Sequence, residues 1–306
     1  MMIRCFRTRS RVRPLAAVTA LLAGALALPA VAQDAAPWLA STPALRVDGE
    51  QVPGGCPIES PTGRFLFTAR NPGTGLDIFV NGRGHRGRPF NPGAPLPSPA
   101  NDSAGGNDFC PTPLPDGELY FVSNRTGGCG DADLYRTINN PSRGFVRPAN
   151  LGCAPDGPNT PGLELSPALI RTSAGTFLYY STDFHTGNQD IYRSRMRPDG
   201  SFGPGTRLPA PINTIYDDRQ PNLSPDGLTL VFASDRPTDA GDASGFDIFT
   251  ATRRDLAQSW QEPVNLSESV PFDTVAASET RPSLSWDGNR LYYGAGGVWV
   301  SERNSH

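Results

Sequence analysis

Hydrophobic positions fall in short apolar runs separated by turn residues, with no helical periodicity between them. The stretch from Arg219 to Leu266 shows the pattern best. Arg219 to Ser224 reads as a short extended run. Pro225–Asp226–Gly227 is turn chemistry: proline presets φ, aspartate bonds its own backbone and glycine accepts a positive φ. Leu228 to Ser234 (LTLVFAS) is nearly all apolar, which predicts a strand covered on both faces. After a loop of Gly, Asp and Ser comes a third strand over Phe246 to Ala251. A fourth follows over Trp260 to Leu266, where Pro263 suits an edge position.

This unit recurs. Its opening phrase, DRQPNLSPDG from Asp218, is nearly repeated as ETRPSLSWDG from Glu279 and again as DFCPTPLPDG from Asp108. Looser copies are GGCPIESPTG from Gly54 and ELSPALIRTSAG from Glu164. The shared prolines, Pro57, Pro111, Pro167, Pro221 and Pro282, are 54, 56, 54 and 61 residues apart. Third strands recur as Asp77–Ile78–Phe79, Asp133–Leu134–Tyr135 and Asp190–Ile191–Tyr192. Fourth strands recur between Phe90 and Leu96, Phe145 and Leu151, and Phe202 and Leu208. A fixed period of this size means stacked supersecondary units, and four strands per unit around an axis make the blades of a β-propeller. The expected fold is therefore all-β, a five-bladed propeller of four-stranded antiparallel blades starting near residues 54, 108, 164, 218 and 279. The fifth repeat has no fourth strand of its own, because it ends soon after Val298–Ser301. Residues near Trp38–Val47 carry the missing pattern, so the N-terminal segment is expected to close the ring.

The phrase Pro221-x-Leu223–Ser224–Pro225–Asp226–Gly227, followed by an apolar strand, Ser234–Asp235–Arg236, a Gly-rich loop and Asp247–Ile248–Phe249, resembles the WD40-like (PD40) repeat of TolB-type propellers. The resemblance covers essentially all of the chain after residue 32. It implies an exported propeller that binds a protein or another ligand. Similar repeats also cap serine peptidases.

Residues 1–32 read as a secretory signal peptide. Arg4, Arg7, Arg9, Arg11 and Arg13 precede the apolar run Leu15–Pro29, and Ala30–Val31–Ala32 predicts cleavage before Gln33. That leaves one domain over 33–306, expected in the periplasm or secreted, with no membrane span and as a monomer. The formal net charge of −3 includes the leader; without its arginines it is about −8, and the chain holds no lysine. An acidic chain without a basic cluster argues against nucleic acid as a partner.

Four cysteines follow the leader, and an even count in an exported chain reads as disulfides. Cys56 and Cys110 hold the same repeat position in neighbouring blades, which brings them close around the axis. Cys129 lies in the blade-two loop and Cys153 in the connector leaving that blade. The expected pairs are Cys56–Cys110 and Cys129–Cys153. A metal site is not expected: there is no C-x-x-C pair, and His85, His185 and His306 are scattered.

An acid stands three residues before the repeat proline in four blades: Asp108, Glu164, Asp218 and Glu279. As a ring at one channel mouth, with Arg219 and Arg281 interleaved, these residues can hold a polar ligand or a cation such as calcium. The plainer reading is that the acids accept bonds from connector backbone N–H groups. Arg70 with Asp77, Arg125 with Asp133 and Arg236 with Asp247 recur in the same blades and are expected as structural ion pairs. Asp183 and His185 break the pattern in blade three, which makes them candidates for an asymmetric site. There is no G-x-S-x-G elbow. The reading is a noncatalytic scaffold without a cofactor, binding a protein, glycan or small ligand at a channel mouth. The alternative is a glycan-active hydrolase using carboxylates at that mouth.

Overall fold

The computed structural model describes residues 38–237, 245–266 and 278–304. The leader, its cleavage point and His306 lie outside the described residues. The first strand is short, Thr42–Pro43 (β1). Blade one is Gly55–Glu59 (β2), Phe65–Arg70 (β3), Asp77–Gly82 (β4) and Ala94–Pro95 (β5). Blade two is Asp108–Pro113 (β6), Glu118–Ser123 (β7), Asp133–Asn140 (β8) and Ala149–Asn150 (β10), with Gly144–Phe145 (β9) also paired to β8. Blade three is Glu164–Thr172 (β11), Gly175–Thr182 (β12), Asp190–Arg195 (β13) and Thr206–Arg207 (β14). Blade four is Asp218–Leu223 (β15), Thr229–Ser234 (β16), Asp247–Thr252 (β17) and Val264–Asn265 (β18). Blade five is Thr280–Leu284 (β19), Arg290–Gly294 (β20) and Val298–Glu302 (β21), completed by β1. The chain is a five-bladed β-propeller, all-β, each blade an antiparallel sheet. β2, β6, β11, β15 and β19 neighbour one another around the axis, and β19 returns to β2.

The ring closes at the N-terminal segment. Thr42 pairs with Val300 and Pro43 with Trp299 in antiparallel register. Among the described residues, no helix is long and apolar enough to cross a membrane.

The core lies between blade faces. Tyr179 and Ile191 of blade three pack on Leu230, Phe232 and Phe249 of blade four. Leu66 and Phe90 of blade one pack with Tyr292 and Val298 of blade five. This two-sided burial is why the second strands are continuous apolar runs. Turn chemistry is equally local. Asp226 Oδ1 accepts from Leu228 N–H (2.9 Å), and Gly227 takes φ 72°, where a Cβ would also press on Ile170 Cδ1.

A buried asparagine latches each of three connectors. Asn101 Oδ1 accepts from Ile78 N–H, and its Nδ2 donates to the carbonyls of Ile78 and Leu96. Asn213 makes the same contacts to Ile191 and Leu208, and Asn159 bonds both backbone groups of Leu134. The latch is written in the chain as Pro99–Ala100–Asn101, Pro211–Ile212–Asn213 and Pro158–Asn159.

Cys56 is joined to Cys110 and Cys129 to Cys153, with Cα separations of 4.8 and 5.6 Å. The first closes 54 residues of chain across two adjacent inner strands. Replacing both Cys56 and Cys110 by Ser is expected to cost about 3–4 kcal/mol by loop-closure entropy. The readout is a lower denaturant midpoint; an unchanged midpoint would mean that the inner ring holds itself without the bridge.

Candidate functional site

Each inner strand carries a bulge just before its proline. Cys56, Cys110, Ser166, Gln220 and Arg281 all take positive φ, between 47° and 58°, and the register slips across each of them. A bulge re-aims one side chain. Here Cys56, Cys110, Ser166 and Arg281, with the five repeat prolines, line a cavity of about 30 Å³. Below it the strands are laced together: Thr112 Oγ1 donates to Pro167 O, and Ser283 Oγ donates to Pro57 O (2.6 Å). The channel is therefore narrow, with space for water-sized groups and none for a sugar ring. Its opposite end is apolar, around Leu114, Leu223 and Trp286.

The acids expected to ring the mouth are not in the channel. Asp108, Glu164 and Asp218 are fully buried and Glu279 nearly so. They sit two residues before the bulged position, so they turn under the connectors. Asp108 Oδ2 accepts from Asp102 N–H (2.6 Å), and Asp218 Oδ2 from Thr214 N–H (2.6 Å) and Oγ1 (2.7 Å). The expected pairs Arg125–Asp133, Arg236–Asp247 and Arg70–Asp77 do not form either. Arg125 bridges Asp108 (2.6 Å) and Arg236 bridges Asp218 (2.5 Å), each guanidinium also donating to connector carbonyls. Arg125 Nε bonds Ser123 Oγ, which turns the guanidinium toward Asp108 of the first strand. Asp133 instead accepts from Cys129 N–H (2.5 Å) and Asn150 Nδ2 (2.9 Å), and Asp247 from Asn265 Nδ2 (3.1 Å). Arg70 donates to Asn81 Oδ1 (2.5 Å).

Blade three departs from this scheme. Strand register aligns Thr182 with Ser123 and Ser234, so Phe184 falls where Arg125 and Arg236 stand. Glu164 has no guanidinium. It accepts from Thr160 Oγ1 (2.5 Å) and Thr182 Oγ1 (2.9 Å), and its Oε2 has no partner. Burial pushes its carboxyl up to about 8. Tyr180 OH donates to Pro158 O (2.9 Å), as an arginine does to the matching carbonyl in blades two and four. His185 stacks on Tyr192 (5.6 Å), as Arg125 does on Tyr135 and Arg236 on Phe249.

The mouth is lined by residues that the repeat alone does not mark. Inner strands start, and second strands end, at one end of the propeller, because Asp218 pairs with Ser234 and Ser234 with Asp247. At that rim Asp183 Oδ1 accepts from Leu163 N–H (3.0 Å), Asp235 Oδ1 from Asp217 N–H (2.8 Å) and Asp217 Oδ1 from Gln189 N–H (2.6 Å). Gln189 Nε2 donates to Leu163 O (3.1 Å), so one continuous hydrogen-bonded chain joins the three carboxylates. Among the described residues the second oxygen of each carboxylate accepts no hydrogen bond. Blade two holds neutral Asn124 and Asn107 at the places of Asp235 and Asp217. Sequence reading singled out Asp183 but passed over Asp217 and Asp235; the available signal was this change from amide to acid at matching positions. Beside them Phe184 is 47% exposed and Ile215 81% exposed. Arg281 lines the axial cavity, and Arg219 lies over the Phe246 ring. Among the described residues no three His, Cys, Asp or Glu side chains are placed to hold a metal ion. A depression of about 910 Å³ on the flank of blade three is lined by Phe177, Arg193, Arg195 and Arg197, with no Asp, Glu or His among its lining residues.

No protein-family model and no curated protein matches the chain. Solved structures do. An α-L-arabinofuranosidase from Podospora anserina, in complex with cellotriose, aligns over 88% of this chain and 97% of its own at 15% identity and a TM-score of 0.58. An endo-arabinase from Bacteroides thetaiotaomicron aligns over 87% and 98% at 14% identity, with a TM-score of 0.55. TolB from Acinetobacter baumannii aligns over 88% and 63% at 17% identity, with a TM-score of 0.44. These identities establish a shared fold. They also correct the expectation of a noncatalytic scaffold: the arabinofuranosidase and the endo-arabinase that superpose along nearly their whole length are glycan-cleaving enzymes.

Proposed function

We propose that this protein is an exported hydrolase of glycosidic bonds, built on PD40-like repeats, with Asp183, Asp217 and Asp235 as its acid and base residues. The observation that carries the reading is the rim itself. Three carboxylates are each pinned by one oxygen to a backbone amide, and each keeps the other oxygen uncommitted, at positions where blade two has amides. Glycoside hydrolysis needs this provision: one carboxyl gives a proton to the departing glycosidic oxygen, and a second draws one from the attacking water or bonds the sugar carbon. Backbone anchoring holds such groups in place while substrate binds. Phe184 offers an exposed flat apolar face beside Asp183 against which a sugar ring can lie. The narrow channel keeps the sugar at the rim. The arabinofuranosidase and endo-arabinase neighbours make arabinan and arabinoxylan the first substrates to try, and the disulfides suit a secreted enzyme.

The test is release of reducing sugar from arabinan, arabinoxylan and pectin by the wild-type chain and by Asp183→Asn, Asp217→Asn and Asp235→Asn. Loss of an acid or base group is expected to lower kcat by about 100-fold or more with the melting temperature kept. No turnover on any glycan, or undiminished turnover in all three variants, would overturn the reading.

A further inference from the structure

The site holds a charge that the fold does not need. Arg83 and Arg290 pair with Glu59, Arg125 with Asp108, Arg207 with Asp190 and Arg236 with Asp218. Arg219 and Arg281 differ. Among the described residues neither forms an ion pair, and the Nε of each is buried without a partner. Arg281 occupies the bulged, axis-facing position that Cys56, Cys110, Ser166 and Gln220 fill in the other blades, so no cation is required there for folding. Its backbone N–H is satisfied by Gln220 Oε1 (3.1 Å), but its side chain is not. The guanidinium leans over Gly55 of blade one. A Cβ on that residue would lie 2.7 Å from Arg281 Nη1, so the glycine leaves the fork its room. Arg219 lies over the Phe246 ring, 3.3 Å from its centroid, and its charge disfavours the Arg281 cation. Asp217 and Asp235 lie near Arg219 and favour its charged form through space, whereas among the described residues no acid does so for Arg281. Burial of an unpaired guanidinium is costly, and the neighbouring Arg219 charge adds to the cost at Arg281.

We propose that Arg281, backed by Arg219, receives the carboxylate of an acidic sugar, so that the glycan held at the rim carries a uronic acid residue. This rests on the glycan reading above. The geometry suits a small planar anion. The cavity in front of Arg281 takes a group the size of a water molecule or two, so a sugar ring stays outside while its carboxylate enters. A guanidinium fork matches a carboxylate with two parallel hydrogen bonds, and partial desolvation strengthens both. Binding then relieves the repulsion between the two arginines, which selects for an anion over a neutral substituent.

The test is calorimetric titration of digalacturonate and of its neutral methyl ester into the wild-type chain, Arg281→Gln and Arg281→Lys. Wild type is expected to bind the free acid at least about tenfold tighter than the ester, the scale of one charge-assisted hydrogen bond. Arg281→Gln should lose that preference while melting no lower than wild type, because it removes an unpaired buried charge. Arg281→Lys should keep part of the preference as a point charge. Equal affinity for acid and ester, or a preference surviving in Arg281→Gln, would overturn the proposal; a sulfated disaccharide binding tighter than digalacturonate would overturn the carboxylate. The two readings fail separately. Asp217-dependent cleavage of neutral arabinan without acid preference leaves the hydrolase and removes the uronate. Arg281-dependent acid binding without turnover on any glycan does the reverse.

Discussion

Removing residues 34–47 lowers the melting temperature by about 10 °C or more, or leaves no folded protein at all. The segment joins the two ends of the ring. Leu39 N–H donates to Glu302 O (2.7 Å) and Ala44 N–H to Val298 O (2.9 Å), on either side of the β1–β21 pairs. Further along, Val47 N–H donates to Phe90 O (2.8 Å) and Phe90 N–H to Leu45 O (2.9 Å), so the same segment grips blade one. Trp38 packs with Val231, Ile248, Leu266 and Leu284 between blades four and five, with Arg303 stacked over its ring (5.1 Å). Losing a buried tryptophan costs about 3–5 kcal/mol by itself, and each kcal/mol is worth roughly 2–4 °C in a domain of this size. Deletion also exposes the edge of β21, whose unpaired backbone invites association. Calorimetry or circular dichroism of the shortened chain decides the matter. A melting temperature within about 3 °C of the full chain would mean that blade five is complete without the segment.

The second large effect is one of pH. Glu164 is buried with one oxygen unpartnered, and burial raises its carboxyl to about 8, well above a carboxyl in the unfolded chain. The folded state therefore holds a proton that the unfolded state releases at lower pH. Stability from this group is fully present below about pH 4.5 and is lost as pH rises through about 8. The total is about 5 kcal/mol, an order-of-magnitude figure from the size of the shift. Asp108 and Asp133 are also raised by burial and act in the same sense. Glu164→Gln keeps the shape and both threonine partners while removing the titration. Its melting temperature should match wild type at pH 5 and exceed it by roughly 8 °C or more at pH 9. Parallel curves for the two proteins from pH 5 to 9 would show that Glu164 does not titrate in that range.

Both effects trace to places where the repeat is broken. The ring-closing segment exists because the fifth repeat has no fourth strand. The unpaired Glu164 exists because Phe184 stands where blades two and four have arginine. The candidate site follows the same logic: Asp217 and Asp235 replace amides, and Arg281 replaces small or neutral residues.

Strand content, blade number, ring closure and the facing positions of the cysteines follow from the sequence, because each depends on local chemistry repeated at a fixed period. Pro225–Asp226–Gly227 turns wherever it occurs, and a run such as Leu228–Ser234 needs cover on both faces in any fold. Equivalent repeat positions are neighbours around an axis, so Cys56 and Cys110 were legible as a pair. Side-chain direction was not. The bulges at Cys56, Cys110, Ser166, Gln220 and Arg281 shift which residue of each inner strand faces the channel, so Asp108, Glu164 and Asp218 turn inward while Arg281 points to the axis. The partners of Arg125 and Arg236 were hidden for a related reason: a long side chain chooses among all acids within reach, and only the packed connectors decide that Asp108 and Asp218 lie nearer than Asp133 and Asp247. The period of a repeat sets where residues sit around the ring; which way they point is settled by backbone twists and neighbours that exist only once the blades have packed.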